Sequence, residues 1–261
     1  MAISFTIAGP ADEAEIRRIL RENPLGGGWQ ISLEREPDGL GGPHVPDERQ
    51  VLVLARDPES GVAIGLCERL VRPAWVNGER RMMPYLGALR IAPSHRHRLA
   101  ILRGGFATLR EQAELPDECG FALTSIAADN HVAKRLLTAG LKGLPHYRPV
   151  GPYLTAMMRA RHYAPDPAIA PAAPADLPEI ADWLARVCAK RQFSPALDAA
   201  TLAAQTGLEL LVMRGRGEIT GLVGLWDQRA SRQAVIHAMP QAARWLRCPA
   251  NLLAPLTGLP E

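Results

Sequence analysis

The sequence predicts an α/β chain built on a mixed, mainly antiparallel sheet flanked by helices. Three observations predict it: short alternating apolar runs joined by hairpin chemistry, helical stretches with recognisable starts and stops, and a return of the opening pattern after a Pro/Ala-rich break.

Residues 3–7, Ile3-Ser4-Phe5-Thr6-Ile7, alternate as a short strand does. Pro10-Ala11-Asp12 offers an N-cap Asp, and Glu15 three residues later completes a capping-box pattern. Ile16, Ile19 and Leu20 recur at helical spacing up to the breaker Asn23-Pro24. A Gly-rich run, Gly26-Gly27-Gly28-Trp29, then leads into a turn-rich segment. It reads either as the wall of an acceptor pocket or as a plain flexible loop. Two strand runs, 50–55 and 62–66, are joined by Asp57-Pro58-Glu59-Ser60-Gly61, whose residue types favour a tight hairpin. A further strand is expected over 82–91 and a helix over Leu99–Glu111, where apolar residues keep a helical period. Residues 121–126 read as a strand and 131–139 as a helix ending at Gly140, a good C-terminal cap. Short strands near Tyr147 and over 153–155 close the unit.

From Pro165 to Pro178 the chain is crowded with Pro and Ala, as a linker would be. Beyond it Pro174-Ala175-Asp176 with Glu179, Ile180 and Leu184 repeats Pro10-Ala11-Asp12 with Glu15, Ile16 and Leu20 at a constant offset. A hairpin candidate also returns, 210–213 and 219–223, turning at Gly215-Arg216-Gly217. Duplication is the simplest account. The expected organisation is a first domain over 1–162, a linker over 163–174 and a partial second copy over 168–261. In that copy, 231–246 reads as a helix where a third hairpin strand should stand. One half covering the sheet edge of the other is a further expectation, which a chain ending near Arg161 would test.

Composition excludes several classes. Of 261 residues, 47% are hydrophobic and 22% charged, which is globular rather than disordered. No apolar run reaches the roughly 18 residues of a membrane span, and Met1-Ala2-Ile3-Ser4-Phe5 lacks the basic start of a secretory signal. A cytoplasmic protein without membrane partners is expected. Cys67, Cys119, Cys188 and Cys248 lie far apart, a spacing that suits reduced thiols. The net charge of +3 is too small for a nucleic-acid binder. Its local distribution says more: between Arg80 and Arg110 there are seven Arg and no Asp or Glu.

Within that stretch, 85–99 reads as a strand, a Pro-marked turn and a basic loop opening straight into a helix. Such a loop gathers unpaired backbone N–H groups and the positive end of the helix dipole. It is an anion site suited to a pyrophosphate, with Arg96 and Arg98 adding guanidinium forks. The bland reading is a solvated basic turn. His95-x-His97 has no third partner at metal-ligand spacing, so no metal is expected. No Gly-x-Ser-x-Gly elbow is present.

The pattern Leu89-x-Ile91-x-Pro93-x-x-Arg96 resembles the start of the acetyl-CoA motif of the GNAT N-acetyltransferase superfamily. Ala128-Asp129-Asn130-x-x-Ala133-x-x-Leu136-Leu137-x-x-Gly140 resembles that superfamily's second motif. The resemblance covers about 3–158, with a weaker echo over about 168–228. It implies a GNAT-like sheet, an acyl-CoA co-substrate (acetyl-CoA) and direct attack of an amine on the thioester. It also implies that backbone groups of Leu89, Arg90 and Ile91 hold the pantetheine arm. Amides of Arg96, His97, Arg98, Leu99, Ala100 and Ile101 would hold the pyrophosphate, and Asn130 and Ala133 would flank the cofactor. Leu99 and Ile101 stand where the motif has Gly and Gly/Ala, and Leu137 where many relatives carry a Tyr that acts as acid.

For acid–base work the candidates are Tyr147, with Tyr153 beside it, and Glu68 or Asp129. Their plainer readings are strand aromatics, an exposed charge and a helix cap. The functional expectation is acetyl transfer to a small-molecule or peptide amine. Its rival is a degenerate, non-catalytic module of the same shape that binds acyl-CoA or a protein partner. RNA binding is a weaker third, since the Arg stretch lacks interleaved aromatics. A second copy of the chain is a candidate partner.

Overall fold

The computed structural model describes residues 2–25, 29–41, 46–112, 117–156, 164 and 166–245. The Gly26-Gly27-Gly28 run, Pro165, Cys248 and the end of the second half from 246 onward lie outside the described residues.

Among the described residues the elements run β1 (Ser4–Ile7), α1 (Glu13–Glu22), β2 (Gln30–Glu34), β3 (Arg49–Arg56), β4 (Ala63–Val76), β5 (Glu79–Ile91), α2 (Leu99–Glu111) and α3 (His131–Thr138). The second half continues with β6 (Ile169–Pro171), α4 (Leu177–Cys188), α5 (Ala199–Ala204), β7 (Leu208–Gly215), β8 (Glu218–Trp226) and β9 (Gln233–Ala238). The fold is α/β, with antiparallel sheets flanked by helices. One four-stranded sheet has the order β1-β3-β4-β5, a three-stranded sheet β6-β7-β8, and β2 pairs with β9. None of the described helices is long and apolar enough to cross a membrane.

The first sheet is covered on both faces. Ile16, Ile19 and Leu20 of α1 pack on Leu52, Leu54 and Leu66. On the opposite face Leu102, Phe106 and Leu109 of α2 and Leu137 of α3 pack on Val53 and Cys67. This double cover explains why β4 is buried almost continuously from Ala63 to Ala74 rather than at alternate residues. α2 sits unusually close to β1: a Cβ built at Gly104 would fall 2.0 Å from the Phe5 ring. Only glycine admits that approach.

Several expectations change at this level. Asp12 does not form a capping box with Glu15. A 3-10 turn over Pro10–Asp12 precedes α1, and the Asp12 carboxylate accepts from the Gly9 N–H at 2.9 Å. Glu15 turns to the hairpin instead, accepting from Ala63 N–H and from Arg56. Residues 121–126 are not a continuous strand; they touch β5 through an isolated parallel bridge, Tyr85 to Leu123. No strand forms at Tyr147 or over 153–155 among the described residues, and Tyr153 and Leu154 are 85% and 88% exposed.

The largest correction falls within 231–246, where helix is present among the described residues only over 241–245. Gln233–Ala238 is strand β9, and it pairs antiparallel with β2 of the first half, Leu33 opposite Ala234 and Ser32 opposite Val235. Local helix formers such as Ala and Gln yield here to a ladder of backbone bonds offered by an open partner. The halves meet a second time where Trp75 N–H donates to Ser194 C=O and Phe193 N–H to Trp75 C=O, both at 2.8 Å.

Candidate functional site

The site is built around an irregularity in β5. In its pairing with β4, Glu68 faces Gly87 and Leu66 faces Arg90. Cys67 therefore stands opposite two residues, Ala88 and Leu89, which is a β-bulge. Ala88 adopts φ +48°, a left-handed conformation that few non-glycine residues hold.

The bulge has a consequence for the flank of β5 that faces away from β4. Up to Leu86 that flank is occupied: Leu86 N–H donates to Leu123 C=O at 2.8 Å and Thr124 Oγ1 donates to Leu86 C=O at 2.7 Å. The extra residue shifts the alternation by one, so Leu89 and Ile91 turn their N–H and C=O groups outward. Side chains already answer these carbonyls, with Arg90 Nη1 donating to Leu89 at 2.9 Å and Arg96 Nε to Ile91 at 3.4 Å. Beyond Leu86 the neighbouring segment diverges, and among the described residues no strand pairs with that flank.

That flank leads into the basic loop. A 3-10 turn over Pro93–His95 is followed, after Arg96 and His97, by Arg98, the N-cap residue of α2, which makes no side-chain cap bond. The Ile101 N–H donates back to Arg98 C=O at 3.0 Å and the Arg98 N–H to His95 C=O at 2.9 Å, while the N–H groups of Leu99 and Ala100 lie ahead of the first intrahelical acceptor, at the positive end of the dipole. Arg96, His97, Arg98 and Ala100 are exposed around this point. Leu99 and Ile101, the two departures from the glycine-bearing motif, do not stand in the way. Ile101 is buried with Ala55 and Ile64, and Leu99 packs on the Val53 cluster. Both side chains turn into the core and leave the outer face clear. His95 is held aside, its Nδ1 2.9 Å from Ser94 Oγ and its Nε2 3.7 Å from Asp57.

The remaining candidates are scattered by role. Asn130 caps α3, its Oδ1 accepting from Ala133 N–H at 3.0 Å, while the neighbouring Asp129 is exposed. Tyr147 packs on the α2 face, edge-on to Phe106 at 6.5 Å between ring centroids. Burial, and the nearby Cys67, push its phenol up to about 12, so it stays protonated at neutral pH. Cys67 is itself pushed up to about 12 by burial, then by Glu68, and is an unreactive thiol.

Glu68 is not the exposed charge that its sequence position allows. It is buried, and Arg35 Nη2 donates to both of its oxygens, at 2.9 and 2.8 Å. Gln50 Nε2 donates to the same carboxylate. With both oxygens engaged, Glu68 is an anchored anion rather than a free base. Sequence reasoning missed Arg35, which lies 33 residues from Glu68 and in no motif. Only a basic residue following a strand could have drawn attention to it.

The sequence matches no protein-family model and no curated protein. Solved structures give similarity of shape. An aminoglycoside 6'-N-acetyltransferase from Acinetobacter baumannii aligns over 60% of this chain and 100% of its own, at 17% identity and TM-score 0.41. A ribosomal-protein-alanine N-acetyltransferase from Brucella melitensis aligns over 62% of this chain and 100% of its own, at 12% identity and TM-score 0.40. N-myristoyltransferase of Saccharomyces cerevisiae, with bound myristoyl-CoA, covers 90% of this chain and 61% of its own, at 9% identity and TM-score 0.48. At these scores the function has to be read from the site itself.

Proposed function

We propose that the chain is an acyl-CoA-dependent N-acyltransferase of the GNAT type, moving an acetyl group to an amine. The observation that carries this reading is the continuity of the bulged, open flank of β5 with the uncapped N-terminus of α2. A pantetheine arm is a chain of amides, and an exposed strand flank is what such a chain pairs with. A pyrophosphate needs convergent N–H groups, a favourable dipole and fixed cations, which the start of α2 with Arg96 and Arg98 supplies.

In this reading the outward amides of Leu89 and Ile91 align the arm, with Arg90 between them. The loop from Arg96 to Ile101 receives the phosphates, and Asn130 with Ala133 walls the cofactor from α3. The acceptor amine attacks the thioester carbon and gives its proton to water, the C–S bond breaks, and the thiolate takes a proton. Tyr147, a phenol held protonated, is the donor we assign; the exposed Asp129 belongs to the cap region of α3 rather than to the reacting centre.

We further propose that residues 168–261 are a divergent second copy joined to the domain over 1–162 through 163–174. The support is one repeated arrangement. Arg56 pairs with Asp12 and Glu15 and donates to Gly61 C=O; Arg214 pairs with Asp176 and Glu179 and donates to Gly217 C=O.

Calorimetric titration of the full chain with acetyl-CoA and CoA tests the central reading. Micromolar binding is expected, weakened roughly tenfold in Arg96→Ala, about 1.4 kcal/mol. Absence of binding to the unaltered chain would overturn it.

A further inference from the structure

On the face of the first sheet covered by α1 lies a polar cluster that the transfer step leaves unexplained. Leu52, Leu66 and Ala88 face α1, and the register sets Glu68 across from Leu52 and Arg90 across from Leu66. Gln50, Glu68 and Arg90 therefore share that face, and Arg35, the residue just after β2, reaches it to meet Glu68. Arg35 and Gln50 hold the Glu68 carboxylate. Arg90 makes no ion pair among the described residues: its Nη1 donates to its neighbour's carbonyl, that of Leu89. The Nε of Arg90 and the Nη1 of Arg35 are shielded from solvent, and neither has a hydrogen-bond partner among the described residues.

The Arg35 guanidinium is answered by Glu68, whereas that of Arg90, near enough to feel the charge of Arg35, has no ion-pair partner among the described residues, which leaves an excess positive charge in a partly buried place. Burial, and then the charge of Arg35, hold the Arg90 guanidinium below its ordinary pKa. Unanswered buried donors and charge of this kind are costly, and an anion bound beside them would answer both. The planar fork of Arg suits a carboxylate in particular. The place is not sealed, since Arg35 keeps 12% of its side-chain surface exposed and Arg90 is also only partly buried. Gly87 and the Tyr85 ring border it: a Cβ at Gly87 would lie 3.0 Å from Tyr85 Cε1 and 3.6 Å from Glu68 Oε2. Gly87 and Arg90 bracket the bulge, so the cluster adjoins the point where the thioester would sit.

We propose that Arg35 and Arg90 form the recognition site for a carboxylate on the acceptor, which makes the acceptor a carboxylate-bearing amine such as an amino acid. Glu68 is the positioning residue that holds Arg35 in place, not the group that takes the amine's proton. The proposal rests on the acyltransferase reading, and its test separates the two.

Arginine Nε resonances of the ¹⁵N-labelled full chain, titrated with acetate against chloride at equal ionic strength, need no acyl transfer at all. One resonance, missing in Arg90→Gln, is expected to shift saturably with acetate. Acetyl transfer is then compared for alanine against alaninamide and for lysine against 1,5-diaminopentane. At least a tenfold preference in kcat/KM for the carboxylate-bearing member is expected, collapsing in Arg90→Gln. Arg90→Lys, which keeps the charge and loses the fork, serves if the Gln variant does not fold, with the same collapse expected. Failure of acetate to shift the resonance, or equal transfer to charged and neutral members, would overturn the proposal. So would saturation by inorganic phosphate alone, which would assign the site to a phosphorylated acceptor. Saturation by acetate without acetyl-CoA binding would leave the anion site standing and remove the acyltransferase reading.

Discussion

The two halves of the molecule share an opening and part company after it. Each begins with a short strand, a 3-10 turn and a helix, and each ties that turn to a following hairpin through one Arg and two acids. In the first half β4 is buried along most of its length; in the second, Val223, Leu225 and Trp226 of β8 are exposed. The cause is a missing cover: the first sheet has α1 on one face and α2 with α3 on the other, whereas the second core is packed by α4 and α5. The difference teaches where chemistry can be placed. A helix that closes the second face of a sheet also delivers its N-terminus to the edge of that sheet, and the candidate anion site exists only where that happens.

The comparison can be broken most severely at Glu68, for which no buried counterpart exists among the described residues of the second half. Glu68→Ala strands Arg35 in a buried place and is expected to cost about 3–5 kcal/mol in denaturant unfolding. Next is the close contact of α2 with β1. Gly104→Ala should cost roughly 1–3 kcal/mol by forcing the helix off Phe5, read as a lower thermal midpoint. If the midpoint holds, α2 is not the clamp described. The shared Arg triad gives a finer contrast. Arg56 is 20% exposed and Arg214 36%; Arg56→Ala should cost about 1 kcal/mol, and Arg214→Ala should move the midpoint less. Equal losses would mean that exposure does not set the difference.

Acid titration gives the smallest effect. Burial works to raise the Glu15 pKa, but the Ala63 N–H and Arg56 outweigh it and hold the group below its ordinary 4.5; Arg214 does the same for Glu179. A carboxylate lowered on folding contributes stability above its unfolded pKa and loses it as pH falls. Stability should therefore decline below about pH 4.5, and Glu15→Gln should flatten that decline.

Much of this was legible in residues that act locally. The period of Leu102, Phe106 and Leu109 marks α2, Asp57 to Gly61 marks the β3–β4 turn, and Pro93 to Arg98 marks the loop. What stayed hidden depends on partners far away in sequence. Nothing in Gln233–Ala238 says that β2 waits for it, and nothing near Glu68 names Arg35. The bulge is similar, because Ala88 carries no signal of a left-handed conformation, which its pairing with Cys67 imposes. The halves' shared Arg triad was half legible: Asp12, Glu15 and their repeats were visible, while the arginines were not.

The pairing of β2 with β9 sets a timetable for synthesis. Ser32 and His237, whose side chains meet at 2.7 Å, are separated by 205 positions. At roughly 5–20 residues per second a ribosome takes on the order of 10–40 s to make that stretch. Through that interval β2 emerges as an open edge with no ladder partner, while α1 and the β3–β5 meander can already form from near neighbours. The nascent chain is thus most vulnerable to edge-to-edge association late in translation, at a strand made early.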